Sequence, residues 1–202
     1  MSLSTIRPKS FIVIILTTFC YGNNLLAQKF LIPKNVTIQY AGSIGFISGD
    51  FGYNLFKKER GTMDFGYGFV PASKGGPLNI LNVKFSYKPF NIKLKEWGNL
   101  LPVNPGFFIS YHLGSNYHIG WNDDQYPKGY YWWSTALRPN ISLSSELKIK
   151  PNIIFTKSRM RYISIYTEVS TNELYFISFV QNHDEFPFTN ILKLGIGTKL
   201  YF

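Results

Sequence analysis

Residues 130–149 alternate in character, and this alternation constrains the fold more than any other feature of the chain. Tyr131, Trp133, Thr135, Leu137, Pro139, Ile141, Leu143, Ser145, Leu147 and Ile149 share one parity. Trp132, Ser134, Ala136, Arg138, Asn140, Ser142, Ser144, Glu146 and Lys148 share the other. A repeat of two is that of a β-strand, whose successive side chains point to opposite faces. The stretch therefore reads as a long strand with one apolar and one polar face. Its aromatics gather at one end, and its polar face carries charges of both signs. A filled polar interior and an apolar exterior with interfacial aromatics are what a strand of a transmembrane barrel requires.

The same parity recurs along the chain. Val36, Ile38, Tyr40, Ile44 and Phe46 begin it, followed by a turn expected at Ser48, Gly49 and Asp50 and a short strand with Phe51, Tyr53 and Leu55 on one face. A charged turn at 57–61 leads to Met63, Phe65, Tyr67 and Phe69, and a loop at 71–77 to Leu81, Val83, Phe85 and Tyr87. Residues 90–104 read as a longer connection. Phe107, Ile109, Tyr111 and Leu113 then face out, with Phe108, Ser110 and His112 inward. The longest loop, 114–129, precedes the strand described first. After a connection at 151–161, Ile163, Ile165 and Val169 resume the pattern. It slips at Ser170–Glu173 and continues through Tyr175, Ile177 and Phe179, as one bulged strand or as a hairpin. Residues 190–202 close the chain.

This pattern predicts an all-β fold, a single antiparallel transmembrane β-barrel. Counting the bulged stretch once gives eight strands and counting it as a hairpin nine; a further break, for instance at Pro139, would then allow ten. An even number returns both ends to one side and puts loop 114–129 on the other, where long loops belong. The sixth strand is long enough to project beyond the membrane there.

Residues 1–27 have the parts of a secretory signal peptide: Arg7 and Lys9, an apolar run from Phe11 to Leu16, and an exit ending at Ala27. The apolar run is too short for a membrane-spanning helix, which needs about 20 residues. The expected organisation is a signal at 1–27 and a barrel domain at 28–202. The single cysteine, Cys20, falls in the signal, so the barrel needs no disulfide. Losing Arg7 and Lys9 lowers the formal charge from +10 to +8. For a secreted chain, the partner this basic excess suits is an anionic membrane surface such as lipopolysaccharide, with no nucleic acid.

Few residues offer chemistry. Ser110 and His112 share an inner face about 7 Å apart at Cα, and such a pair is a candidate nucleophile and base; a polar filling of the lumen is the alternative. His118 and His183, with Asp123, Asp124, Asp184 and Glu185, lack a metal-ligand spacing, and no cofactor is expected. Asp64, Lys84, Lys88, Arg138, Glu146, Lys148 and Lys199 take the inner parity. An eight-stranded barrel has room inside only for side chains, so these charges are expected to pair with one another. Arg138 and Glu146 lie about 27 Å apart along one strand and must find partners elsewhere.

The final residues, with Leu194, Ile196 and Leu200 at alternate positions before Phe202, resemble the terminal strand of outer-membrane β-barrel proteins. The size is similar to small barrels of the OmpA, OmpX and OmpW type and to outer-membrane lipid A-modifying enzymes. The resemblance implies location in the outer membrane of a Gram-negative-type envelope, contact with its lipid, and recognition of Phe202, Leu200, Ile196 and Leu194 by the barrel assembly machinery. Three functions fit: a non-enzymatic barrel serving envelope structure or surface interaction, an enzyme modifying lipid A or phospholipid, and a narrow conduit for small apolar molecules. Deleting Phe202 is expected to lower the yield of assembled barrel in cells. Heat-modifiable gel migration of membrane fractions measures this, and an undiminished yield would count against the resemblance.

Overall fold

The computed structural model describes residues 32–120, 134–151, 160–183 and 187–202. The chain divides into two units, Met1–Pro33 and Lys34–Phe202, and the second is described here. Its strands are β1 (Asn35–Ala41), β2 (Ile47–Leu55), β3 (Gly61–Val70), β4 (Leu78–Tyr87), β5 (Ile92–Leu94), β6 (Gly98–Leu113), β7 (Leu137–Ile149), β8 (Tyr162–Asn172) and β9 (Lys193–Tyr201). Among the described residues one α-helix, α1 (Glu173–Gln181), follows β8.

Each strand pairs antiparallel with its neighbours in the order β4, β3, β2, β1, β9, β8, β7, β6, and β6 pairs back onto β4. The result is a closed ring of eight strands, with β5 a three-residue appendage on the start of β6. Closure leaves the ring without a free edge. In lipid that is a requirement, since no water is present to pair exposed backbone groups.

The ring is staggered. Followed from Asn35 through Gly52, Asp64, Lys84, Phe108 and Asn140, the register reaches Asn172 of β8. Followed the other way through Tyr201, it reaches Tyr162, ten residues earlier on the same strand. A ten-residue stagger is about 33 Å along the strands, against about 38 Å for eight inter-strand spacings measured across them, so the strands tilt by about 40°.

Polarity is inverted relative to a soluble protein. Ile38, Leu143 and Leu194 are 59%, 51% and 66% exposed on the outer wall, whereas Asn35, Thr62, Asp64 and Ser164 inside are at most 2% exposed. This is the surface of a transmembrane barrel. The parity read in the sequence holds on all eight strands of the ring, β1–β4 and β6–β9. Glycines on the inner face make the room that the narrow lumen lacks: a Cβ at Gly66 would collide with the Asp50 carboxylate, and one at Gly52 with Asn35 and Asp64.

Both ends of the ring meet at one rim, where Asn35 pairs with Tyr201 and the Phe202 amide donates to the Lys34 carbonyl at 3.0 Å. The short connections at 56–60 and 88–91 lie on this rim. The two longest, 114–136 and 173–192, join strands at the opposite rim, the mouth. That is where the long loop was expected.

Four expectations need correction. Ser48, Gly49 and Asp50 form no turn: they belong to β2, with Ser48 and Asp50 buried in the lumen. The turn lies at 42–46, entered through Ala41 (φ 59°) and Gly42 (φ 91°), a left-handed backbone that glycine adopts without strain. Tyr175, Ile177 and Phe179 are not strand residues, bulged or paired. Asn172 ends β8 and caps α1, its side-chain oxygen accepting from the Tyr175 amide at 2.9 Å. Residues 90–104 are no simple connection, since β5 and the first half of β6 occupy them. Pro102 and Pro105 are tolerated because β5 covers only Gly98–Leu100 and β4 pairing starts at Gly106, so the strand has a free side between. A bulge between Leu101 and Asn104 carries the strand past them, with Ser145 donating to the Pro102 carbonyl. The sixth strand begins at Leu137 and not at residue 130, because Ser134, Thr135 and Ala136 form a bend; Tyr130, Tyr131, Trp132 and Trp133 lie outside the described residues.

The outward face is tested on β7. Leu143→Arg places a cation in hydrocarbon and is expected to cost about 2–4 kcal/mol. Ser144→Arg points inward at the level of Glu168 and should cost clearly less. Denaturant unfolding in detergent or lipid compares the two, and the reverse order would contradict the orientation of the wall.

Candidate functional site

The lumen is closed by charge. Among the described residues, four carboxylates (Asp50, Asp64, Glu146, Glu168) and four lysines (Lys84, Lys88, Lys148, Lys199) are buried in it. Lys84 pairs with Glu168 at 2.7 Å, Lys199 with Asp64 at 3.4 Å and Lys88 with Glu146 at 3.9 Å. None of these pairs joins neighbouring strands, so each spans the lumen. Tyr201 donates its hydroxyl to Glu146 at 2.6 Å and accepts from Lys88 at 3.2 Å. Among the described residues no carboxylate forms a salt bridge with Lys148; it stands 3.9 Å over the Tyr201 ring, an arrangement that favours a cation. Lys84 lies 5.3 Å from the ring centre of Phe108, itself wholly buried. Tyr166 donates to Gln39 at 2.5 Å.

Asp64, Lys84, Lys88, Arg138, Glu146, Lys148 and Lys199 are all buried, none more than 7% exposed. Arg138 and Glu146 do find partners on other elements: Glu146 the groups just described, and Arg138 the Glu173 carboxylate at 2.9 Å and the Ser134 carbonyl at 2.7 Å. Sequence reading missed Asp50, Glu168, Tyr166 and Glu173. The parity of Ile163, Ile165 and Val169 was a signal for Tyr166 and Glu168, since it puts both inside.

Ser110 and His112 both face the lumen at the mouth. Ser110 donates to the Arg138 carbonyl at 3.3 Å and accepts from the Asn140 amide at 3.2 Å. The His112 ring meets Tyr117 edge-on at 5.4 Å. No hydrogen bond links the pair, and among the described residues no carboxylate hydrogen-bonds His112. Both residues line an open cavity of about 440 Å³ at the mouth, with Arg138, Lys74, Lys193 and Tyr175. Lys193 lies 4.9 Å above the Tyr175 ring and Lys74 6.0 Å from that of Phe46. Bases line this cavity, and among the described residues no acid does.

His118 anchors the neck of the long loop through its backbone, its amide donating to Thr135 and its carbonyl accepting from Ser134, Thr135 and Ala136. Asp123, Asp124, Asp184 and Glu185 lie outside the described residues. Among those described, no three of His, Cys, Asp and Glu come together as metal ligands would. On β9, Leu194, Ile196 and Phe202 are exposed on the outer wall and Leu200 partly so.

Burying an ion costs several kcal/mol, which its partner offsets only while both are present. Glu168→Ala is therefore expected to destabilise the barrel by about 3–5 kcal/mol by stranding Lys84. Combining it with Lys84→Met should recover most of that loss in denaturant unfolding; strictly additive losses would show that the pair is not coupled.

Compared with known proteins, the chain matches no family model and no curated protein. Among solved structures it is similar to one described as "De novo design of transmembrane beta-barrels", with 12% identity, a TM-score of 0.34, and coverage of 84% of this chain and 97% of that one. At that distance, the architecture rests on the strand ladder itself.

Proposed function

We propose that the chain is a small, non-enzymatic barrel of the outer membrane of a Gram-negative-type envelope. It would serve envelope structure or surface interaction through the connections at its mouth. The observation that carries this reading is the lumen crossed by three ion pairs, Lys84–Glu168, Lys88–Glu146 and Lys199–Asp64. A conduit for apolar molecules would have to break these pairs and draw its cargo past bare charges. An enzyme centred on Ser110 and His112 would need the serine hydroxyl released from the Arg138 carbonyl and an orienting partner for the histidine. The wall faces lipid, and the alternating apolar residues ending at Phe202 suit recognition by the assembly machinery. The mature chain would begin at Gln28, after removal of residues 1–27.

Three measurements test the reading together. The mature protein is expected to fractionate with the outer membrane, to migrate differently on gels before and after heating, and to begin at Gln28 on N-terminal sequencing. Reconstituted in a planar bilayer, it should carry no steady ion current, because opening the lumen would strand buried charges. A soluble periplasmic protein would overturn the location, and a steady conductance would overturn the plugged lumen. Mass spectrometry of envelope lipids should show the same acyl pattern with and without the protein; an altered pattern would favour the enzyme.

A further inference from the structure

Near the mouth, the described wall of the ring has a weak place. Pairing between β7 and β8 stops at Asn140 and Asn172. Beyond it β7 continues through Pro139, Arg138 and Leu137, while the other chain turns away into α1. Pro139 has no N–H to lose there. Among the described residues, the Arg138–Glu173 ion pair crosses the gap. A crevice of about 260 Å³ lies here, lined by Phe107, Pro139, Ile141, Thr171, Glu173 and Phe176. Asn140 and Asn172 line both this crevice and the basic cavity at the mouth, so the two hollows adjoin at the break.

Three features define what would fill it. The crevice is continuous with the lipid-facing wall, since Phe107 and Ile141 are 47% and 57% exposed on that surface. Its size lies below the roughly 300–1,000 Å³ of ordinary small-molecule sites, which suits one alkyl chain better than two. Behind its apolar lining, Thr171 Oγ1 and Glu173 Oε2 are buried without a hydrogen-bond partner among the described residues, so a hydroxyl that reaches them as these side chains turn gains acceptors otherwise unmet. Beyond the threshold stand Arg138, Lys193 and Lys74, a setting for an anion. Apolar crevice, acceptor pair and basic mouth follow one another in that order.

We propose that this break binds a single-chain phospholipid from the surrounding leaflet. Its acyl chain lies in the crevice, its glycerol hydroxyl at Glu173 and Thr171, and its phosphate in the mouth cavity. The proposal rests on the barrel being in a membrane and adds a ligand to its surface role.

The test uses the mature barrel in phosphatidylcholine nanodiscs with lysophosphatidic acid carrying a photoreactive diazirine at the chain end. Labelled peptides are mapped by mass spectrometry. Labels are expected on peptides holding Phe107, Ile141 and Phe176, displaced by unlabelled lysophosphatidic acid and not by a quaternary ammonium amphiphile of equal chain length. Ile141→Trp fills the crevice with an apolar side chain, and Lys193→Glu reverses a charge at an exposed position. Each should weaken labelling about tenfold, the loss of one good contact, with heat-modifiable migration unchanged. Even labelling around the whole apolar band, equal displacement by the cationic amphiphile, or indifference to both variants would overturn the site while leaving the barrel reading intact. A chain that does not insert into the bilayer would overturn both.

Discussion

The structure depends on one requirement: in hydrocarbon, a backbone N–H or C=O has no partner except another part of the chain. The pairing of β1 with β9, from Asn35 with Tyr201 to Ala41 with Gly195, meets it by joining the first strand of the ring to the last. The stagger at which it closes sets the tilt of the strands and the width of the lumen. That width admits side chains and little else, which is why glycines face inward beside Asp50 and Asp64. The wall must then be apolar outside, and the polar residues of an amphipathic strand have nowhere to go but inside.

Where closure is relaxed, other groups take over its task. Above Asn140 and Asn172, the β7 backbone has lost β8 as a neighbour. Proline removes one donor, the Arg138 guanidinium holds the Ser134 carbonyl, and α1 lies over the gap with Glu173 tied to Arg138. Even so, among the described residues Thr171 and Glu173 keep oxygens without partners. Departures from local consistency of this kind are where functional sites are found, and the largest described departure adjoins the mouth cavity.

How much of this was legible in the sequence follows from the period of two. Parity alone sorted Asp64, Lys84, Arg138, Glu146, Lys148 and Lys199 into the lumen, because a barrel has only two faces and lipid rejects charge on one of them. The failures have a shared cause: turn signals are calibrated on proteins whose polar residues face water. Ser48, Gly49 and Asp50 look like a turn until the polar face is known to be an interior. Pro102 and Pro105 look like a break until the strand is known to have a free side there. Tyr175, Ile177 and Phe179 match the parity of a strand by coincidence in a nine-residue helix. The cap at Asn172 and the acid after it were the signal against a strand. The candidate site was legible only in its residues. That Arg138 meets Glu173, and that two hollows adjoin at Asn140, depends on where the β7–β8 ladder ends, which alternation does not encode.

The buried ion pairs contribute something that burial energies alone miss. A salt bridge taken out of water gains little net stability, since desolvation consumes most of the attraction. What Lys84–Glu168, Lys88–Glu146 and Lys199–Asp64 offer is register. A strand that slips by one residue turns every inward side chain outward. On a soluble sheet, that exposes apolar groups to water; here it would put a lysine or a carboxylate into lipid. Each such lysine costs about 2–4 kcal/mol at mid-bilayer, and the partner left inside adds its own unpaired charge. Since each pair links strands that are not neighbours, one slipped strand breaks bridges to the far side of the ring as well as its own ladder. The charges that close the lumen thus also make one register of the ring far better than the next, and the same groups that exclude a pore specify the barrel.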